Sequence, residues 1–273
     1  MIVILTSPSC AGKSTIEKKL KDEGFDSIVS ITTRSKRSGE VSGKDYFFVT
    51  KSEFQEMLFN NEIIEHNIFS GNYYGTGYRS IEPIIKDYEA GNHTKKAVVL
   101  DPNGAVNLSN FLISQNVKIP HAIVFIDVDP VVAQARFMDR YVSKINEMIN
   151  DNSYKNIDLK NQTIRDYAMR ITLSITEEQT WKNILPYDLY FEKSNNEIDA
   201  KNIIKQITEF EPKLDKTIYP PLNLVDKVND MLLKDIEAEL SIIYNKKIKE
   251  FIDLRPVVEK TVDEPDYTKF ADI

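Results

Sequence analysis

Several features are scarce or missing in this sequence of 273 residues. A single cysteine excludes an intramolecular disulfide, and nine glycines with 11 prolines argue against a repetitive or disordered polymer. No apolar run approaches the roughly 20 residues that a membrane-spanning helix requires. The opening segment MIVILTS is too short for a signal peptide and lacks its basic leader. These absences predict a soluble, cytoplasmic protein with no membrane partner.

An excess of basic residues is also missing. The chain has 35 lysines and arginines against 42 aspartates and glutamates, which gives a formal net charge of −7. Binding along a nucleic-acid polymer needs a basic face that displaces counterions, so no such polymer is expected as a partner. A free nucleotide needs only a few cations. The hydrophobic content of 41% is ordinary for a globular protein with a proper core.

The sequence does contain short apolar runs that alternate with amphipathic segments. Strands are predicted at residues 2–5, 27–31, 45–49, 96–100, 121–127 and 187–191. Helices are predicted at residues 13–23 and 197–209, and from Asp129 towards Arg140. A further helix is predicted to start at a capping box formed by Ser52 and Gln55. The polar, turn-rich residues 150–162 are predicted to form a surface loop. Strands alternating with helices predict an α/β fold with a central, mainly parallel sheet flanked by helices.

The segment TSPSCAGKST, residues 6–15, follows the first predicted strand directly. Its end matches the phosphate-loop pattern G-x-x-x-x-G-K-[ST], but Ser7 and Cys10 stand where glycine is usual. Such a loop presents backbone N–H groups, a helix N-terminus, a lysine and a hydroxyl to a triphosphate and its Mg²⁺ ion. The alternative is a serine-rich turn that caps an ordinary helix. The position after a strand favours nucleotide binding, by Ser9, Cys10, Ala11, Gly12, Lys13, Ser14 and Thr15.

The loop therefore predicts a bound nucleotide with its Mg²⁺ ion. Ser14 supplies the hydroxyl for the metal. Asp101 follows the apolar run AVVL and is a second candidate that would reach the metal through a water molecule.

The residues from Ser30 to Thr76 are the most specific part of the sequence. The blocks SITTRSKRSGEVSGKDYFFV and EIIEHNIFSGNYYGT closely resemble the guanylate kinase family, and the resemblance runs from the first strand to about Glu211. It implies a P-loop kinase fold in residues 1–211, with a nucleoside-monophosphate-binding part at about 32–95 and a lid at about 137–170. It also implies phosphoryl transfer from MgATP to GMP or dGMP. Residues 212–273 lie outside the family pattern.

The resemblance also implies a role for each residue at a motif position. Arg34, Arg37, Tyr46 and Tyr74 would bind the acceptor phosphate, and Glu65 would read guanine with the help of Ser30 and Thr76. Asp101 and Asn103 would lie near the same base. The catalytic groups would be Lys13 and the lid arginines Arg136, Arg140 and Arg170.

The chain departs from the family pattern at four places. Ser7 and Cys10 replace glycines, Asn103 replaces an acidic residue, and the segment between Arg140 and Arg170 is long. The fourth departure is the C-terminal extension, in which an apolar stripe runs from Val225 through Val228, Leu232, Ile236 and Leu240 to Ile243, before a loose acidic tail. The stripe indicates packing against the rest of the chain or, as the alternative, a homodimer through this helix.

Two other functions stay open at this point. One is a kinase of the same mechanism that acts on another, or a modified, deoxynucleoside monophosphate. The other is a non-catalytic binding module with a guanylate-kinase-like domain. Lys13 and Ser14 favour an enzyme, because a binding module has no physical need for a phosphate-reading lysine or a metal-binding hydroxyl.

Overall fold

The computed structural model describes residues 1–36, 39–69, 71–192, 197–222 and 229–253. The chain forms two compact units, one made of Met1–Phe137 with Met169–Asn229 and the other of Met138–Ala168 with Asp230–Ile273. Among the described helices, none combines the length and the apolar character that crossing a membrane would demand. The boundaries of the domains inferred from the sequence stay a prediction.

Nine strands are found in the described part of the chain: β1 (Ile2–Thr6), β2 (Asp26–Ser27), β3 (Ile31–Thr32), β4 (Phe47–Phe48), β5 (Ile63–Phe69), β6 (Asn72–Gly77), β7 (Lys96–Val99), β8 (His121–Asp127) and β9 (Leu189–Glu192). The helices of the same residues are α1 (Lys13–Asp22), α2 (Lys51–Phe59), α3 (Tyr78–Glu89), α4 (Pro102–Ile113), α5 (Pro130–Asn150), α6 (Ile157–Thr176), α7 (Trp181–Ile184), α8 (Glu197–Glu209) and α9 (Asp230–Asp253).

The first unit is built on a five-stranded sheet in the order β2-β7-β1-β8-β9, and every pair in it is parallel. The central strand β1 is fully buried, and its alternate side chains pack into different apolar clusters. Val3 and Leu5 contact the cluster that contains Ile16 and Leu20 of α1. A sheet buried on both faces explains why its strands read as continuous apolar runs. The predicted α/β fold is confirmed.

A second sheet of the same unit, in the order β4-β3-β6-β5, carries residues that the sequence analysis predicted to contact the nucleotide. β5 and β6 are antiparallel, with Glu65 opposite Thr76, and β3 pairs Thr32 with Tyr74. The carboxyl ends of the parallel strands β1 and β7 meet at one edge of the first sheet, which brings residues 7–12 and Asp101 to the same edge. This is where open α/β sheets bind their ligands.

The second unit is helical. Tyr141, Ile145 and Met148 of α5 are fully buried, and Leu240 and Tyr244 of α9 are 2% exposed. The hydroxyl of Tyr141 donates to the carbonyl of Leu240 at 2.8 Å, and that of Tyr244 donates to the carbonyl of Tyr154 at 3.1 Å. Buried tyrosines with satisfied hydroxyls allow a small core to form among these helices.

Three local predictions from the sequence were wrong. Residues 27–31 do not form one strand, because Ser27 ends β2 of the parallel sheet and Ile31 begins β3 of the other sheet. Residues 150–162 are not a loop. They contain a 3₁₀ turn at Ser153–Lys155 and the start of α6, where the side chain of Asn156 accepts from the N–H of Leu159 at 3.0 Å.

The third error concerns the start of α2. The capping box is formed by Thr50 and Glu53 rather than by Ser52 and Gln55. Glu53 N donates to Thr50 Oγ1 at 3.1 Å, and Thr50 N donates to Glu53 Oε2 at 2.6 Å. Both pairs have the required spacing of three residues, but Thr50 is the residue with extended backbone directly before the first helical residue, Lys51, so the earlier pair forms the cap.

Candidate functional site

The loop between β1 and α1 has the geometry of an anion cradle. Cys10 has a φ of 62° and Gly12 a φ of 88°, so the backbone turns through the left-handed region twice before α1 begins at Lys13. Turns of this kind direct successive N–H groups inward, next to the positive end of a helix. Cys10 achieves this turn without the freedom of glycine.

Lys13 and Arg136 both contact the carbonyls of this loop. Lys13 Nζ donates to the carbonyl of Ser7 at 2.6 Å and to that of Pro8 at 3.2 Å. Arg136 Nη1, from α5, donates to the carbonyl of Cys10 at 2.6 Å. The structure therefore brings one predicted lid arginine to the predicted donor site.

The other two predicted lid arginines lie in different units. Arg170 is half-buried on the part of α6 that belongs to the first unit. Arg140 is exposed and belongs to the second unit, where its carbonyl accepts from the hydroxyl of Tyr167 at 3.2 Å.

Glu65 is the most perturbed carboxylate of the predicted site. It is 4% exposed, and within the described residues its Oε1 and the facing Thr76 Oγ1 are both buried without a hydrogen-bond partner. Burial raises the pKa of Glu65 to about 7 and the negative charge of Asp101 adds to the rise, while the closeness of Thr76 on the neighbouring strand opposes it. A buried acceptor and hydroxyl left unsatisfied are expensive, so they indicate a place that a ligand with donor groups would complete.

Asp101 and Gly104 form the wall beside Glu65. Asp101 caps α4, and its Oδ1 accepts from the N–H groups of Asn103 at 2.9 Å and Gly104 at 3.1 Å. A Cβ at position 104 would lie 2.7 Å from Glu65 Oε2. Only glycine therefore leaves room for the carboxylate in this position. Asn103 is half-buried in the first turn of α4.

The residues predicted to hold the acceptor phosphate are clustered. The guanidinium of Arg34 lies 5.5 Å from the centroid of the Tyr46 ring, which in turn lies 6.2 Å from the Tyr74 ring. Arg34 also pairs with Glu40 through contacts of 2.8 and 3.1 Å, which raises the pKa of its guanidinium. Burial raises the pKa of the Tyr46 hydroxyl, so this phenol stays a hydrogen-bond donor. Arg37 lies outside the described residues.

One cavity of about 290 Å³ connects the two halves of the predicted site. From the donor side it is lined by Ser7, Ser9 and Lys13, and from the acceptor side by Ser30, Tyr46, Glu65, Tyr74 and Asp101. A neighbouring cavity of about 340 Å³ shares Ser30 and Tyr46 with it and is also lined by Ser14. A phosphate bound at Lys13 and a base bound at Glu65 would thus lie in one continuous space.

The residues present fit a magnesium ion only if it is carried in with a phosphate. Ser14 is exposed at the second position of α1 and offers one hydroxyl. Across the described ranges of the chain, no group of three or more His, Cys, Asp or Glu side chains could hold a metal on its own. Mg²⁺ is commonly bound in this way, by few protein oxygens together with phosphate oxygens and water.

Glu178 and Trp181 are among the residues of this cavity that sequence reasoning missed. Glu178 is 5% exposed and accepts two hydrogen bonds from Ser9, a residue 169 positions away in the chain. No local motif surrounds either residue. Only the tertiary fold reveals their place at the phosphate loop.

Comparison with known proteins gives one family. Residues 1–182 match the family model described as guanylate kinase. The guanylate kinase of Bacillus subtilis (strain 168) is 40% identical over 90 residues, which is 32% of this chain and 44% of the relative. That of Lactobacillus johnsonii is 38% identical over 109 residues, which is 38% of this chain and 50% of the relative. The chain thus spans at most about half the length of these curated relatives.

A solved structure, the guanylate kinase from Anaplasma phagocytophilum, is 24% identical in sequence and has a TM-score of 0.47. The similarity covers 80% of this chain and 88% of that chain. The family model matches well over half of the residues, from β1 through the phosphate loop and the Glu65 sheet to α7. The chain therefore belongs to the guanylate kinase family.

Proposed function

We propose that this protein transfers the terminal phosphoryl group of MgATP directly to the phosphate of GMP or dGMP, which yields ADP and GDP or dGDP. The observation that carries the proposal is the single cavity lined by both Lys13 and Glu65. Direct transfer requires donor and acceptor phosphates to lie close together in a site that they enter from different sides. Family membership supports the same reaction class.

Glu65 selects the base in this proposal. An ionised carboxylate can accept from the N1–H and the exocyclic amino group of guanine together, a donor pair that adenine does not present. The buried Oε1 without a partner in the described residues supports this role, since the base would satisfy it. Thr76 and Ser30 would add hydroxyl contacts at the same base. Discrimination by buried polar groups is strong, because a wrong base leaves them unpaired.

Arg34, Tyr46 and Tyr74 hold the acceptor phosphate, with Arg37 as a further predicted ligand. A phosphate dianion favours charge-assisted, directional donors, and a guanidinium beside two phenols provides them. The pairing of Arg34 with Glu40 orients the guanidinium before substrate arrives. The acceptor phosphate is already a competent nucleophile, so the proposal requires no protein base.

The loop of residues 7–14 binds the donor triphosphate. Its N–H groups and Lys13 balance the charge of the phosphates, and Ser14 would hold the magnesium ion that travels with ATP. Magnesium supplies charge neutralisation at the transferring group. The hydrogen bond from Arg136 to the carbonyl of Cys10 supports a role for this arginine beside the donor phosphates. We propose that Arg170 and Arg140 add positive charge when the nucleotides bind.

A rate assay tests this function. Release of ADP from MgATP is measured with GMP, dGMP, AMP, dTMP, UMP and CMP, each offered separately. Turnover with GMP or dGMP and none of comparable rate with the others is expected. Preference for another base would leave the mechanism in place and assign it to a different deoxynucleotide. If none of the six is phosphorylated but calorimetry shows that ATP binds, the acceptor would be a modified nucleotide. If ATP does not bind either, the protein would be a non-catalytic binding module.

The same assay tests Lys13. Lys13→Ala should lower kcat by at least about a hundredfold, since one lost electrostatic contact to the transferring group is worth ~3 kcal/mol. Lys205→Ala is the matched control, because this lysine lies on the exposed face of α8 and only approaches Glu209 at 3.9 Å. A Lys13→Ala enzyme with near-normal kcat would show that the loop is not the donor site.

A further inference from the structure

Glu178 is a buried carboxylate to which the proposed reaction assigns no task. It begins the 3₁₀ turn Glu178–Thr180 and lines the same cavity as Lys13. Glu178 Oε2 accepts from the backbone N–H of Ser9 at 2.7 Å, and Oε1 accepts from the Ser9 hydroxyl at 2.6 Å. Both oxygens of the carboxylate are therefore engaged with one residue of the phosphate loop. Charge-assisted hydrogen bonds of this length are strong, particularly away from water.

The residue that follows Ser9 carries the strain of the loop. Cys10 has a φ of 62°, in the left-handed region that residues with a Cβ seldom adopt. Such a conformation persists only where the surrounding structure holds it in place. Among the contacts of the described residues, Glu178 holds Ser9 directly before the strained residue, and Arg136 holds the carbonyl of Cys10 itself.

We propose that Glu178 is a positioning residue which, together with Arg136, clamps the phosphate loop in its anion-binding conformation. In loops with glycine at the position of Cys10, the glycine adopts the left-handed conformation at little cost. Here the clamp stabilises that conformation instead. It acts on the loop through Ser9 and does not contact the phosphates. The inference rests on the proposed function only in naming ATP as the ligand of this loop.

Removing the clamp should weaken binding at the donor loop and leave the acceptor side unchanged. Glu178→Ala should raise the KM for MgATP and the dissociation constant of ATP, measured by calorimetry, about tenfold, the effect of losing two hydrogen bonds that order the loop. The KM for GMP should stay within about twofold. Glu178→Gln retains one acceptor oxygen, so its dissociation constant for ATP should lie between those of the original protein and Glu178→Ala. Glu209→Gln, an exposed carboxylate of α8, is the matched control.

A second substitution separates positioning from general stability. Cys10→Gly removes the conformational cost that the clamp offsets. In the Glu178→Ala chain it should restore ATP affinity to within about threefold of the original value, although it adds no contact to replace the lost carboxylate. A residue that merely supported the fold would show no such rescue. Should Glu178→Ala fail to fold, the pair Glu178→Gln and Glu178→Gln with Cys10→Gly carries the same test.

Three results would overturn the inference: unchanged ATP affinity in Glu178→Ala, an equal rise in the KM values for ATP and GMP, or no rescue by Cys10→Gly. The calorimetric measurement keeps this outcome apart from the proposed function. If the original protein binds ATP but phosphorylates no guanine nucleotide, the proposed reaction fails and the clamp is still tested. If it phosphorylates GMP and Glu178→Ala binds ATP normally, only the clamp fails.

Discussion

At the scale of single residues, Glu65 and its surroundings determine the chemistry that we propose for the acceptor side. The carboxylate is held in a nearly closed space between Thr76 on the neighbouring strand and Gly104 on α4. Burial raises its pKa to about 7. A carboxylate that binds guanine must be ionised, so the free protein has to lose a proton from Glu65 before or during GMP binding.

The pKa of Glu65 predicts a pH dependence with a definite sign. As the pH falls below about 7, protonated Glu65 accumulates, and kcat/KM for GMP should fall about tenfold for each pH unit. The same shift means that protonated Glu65 contributes stability below its ordinary pKa, and that this contribution disappears as the pH rises through about 7. Initial rates between about pH 5.5 and 8.5 measure the profile. A flat profile between about pH 6 and 7, with a fall only near pH 4.5, would contradict it.

Gly104 gives a second test at this scale. Gly104→Ala should increase the KM for GMP at least about tenfold, because the added methyl would meet Glu65 Oε2 at 2.7 Å and displace it. Alanine stabilises a helix by about 1 kcal/mol relative to glycine, so the melting temperature of Gly104→Ala should fall little even though the KM rises. Ser114→Ala, at the C-terminal end of α4, is the control. An unchanged KM would show that the position of this carboxylate does not matter.

The sequence alone gives a reason to propose Lys13 and Glu65 as site residues, but it gives none for Glu178, although all three line one cavity. Lys13 stands in a local pattern after a strand, and Glu65 lies inside a long block of family-like sequence. Glu178 meets Ser9 only because α6 and the turn after it return to the phosphate loop. A contact between residues so distant in the chain leaves no periodic or spaced signal. The left-handed φ of Cys10 could not be predicted either, because the sequence gives no sign that this residue is more than a small side chain in a loop.

At the scale of elements, buried strands were predictable because their residues are apolar along the whole length. The predicted bounds of the strand at residues 121–127 and the helix at residues 197–209 are those of the structure. Residues 150–162 were mispredicted as a loop because they are polar. In the structure they form a 3₁₀ turn and the capped start of α6. Polar side chains indicate exposure to water, and both an exposed helix end and an exposed loop are polar, so polarity does not distinguish them.

The capping box of α2 provides the prediction at this scale. Thr50→Ala should lower the free energy of unfolding by about 1 kcal/mol, because the N–H of Glu53 loses its acceptor at the helix start. Ser52→Ala is the control, since this residue lies inside the helix and should change stability by less than about 0.5 kcal/mol. Urea denaturation of both variants decides the matter. Equal effects would mean that the Thr50 side chain does not stabilise this end.

At the scale of the whole molecule, the C-terminal helix belongs to the same compact unit as residues 138–168. The apolar stripe was predicted correctly at Ile236 and Leu240, but Leu233 and Tyr244 are buried where Leu232 and Ile243 were expected. Val225 and Val228 lie outside the described residues, as does the acidic tail. Ile236 and Leu240 belong to both stripes, so the buried face differs from the predicted one only by a rotation of part of a turn about the helix axis. The homodimer through this helix stays a prediction.

Packing within this unit is tested by substitution on α9. Leu240→Ala should destabilise the second unit by about 2–5 kcal/mol, because its side chain is 2% exposed and its removal leaves a cavity. Ile242→Ala, at a position that is 68% exposed, should cost little. Hydrogen exchange should become faster in residues 138–168 for Leu240→Ala while the amides of β1 stay protected. Uniform loss of protection across both units would contradict the assignment of Leu240 to the core of the second unit.

The most direct test of the account follows the phosphoryl group itself. ATP labelled at its terminal phosphate is incubated with the protein, magnesium and GMP, and the label is traced over the first turnovers. We predict that the label appears in GDP, one for each ADP formed, and that Glu65→Gln slows this transfer without blocking ATP binding. Release of the label as free phosphate, or its transfer in preference to a nucleotide without guanine, would contradict the claim that one cavity joins an ATP loop to a guanine site.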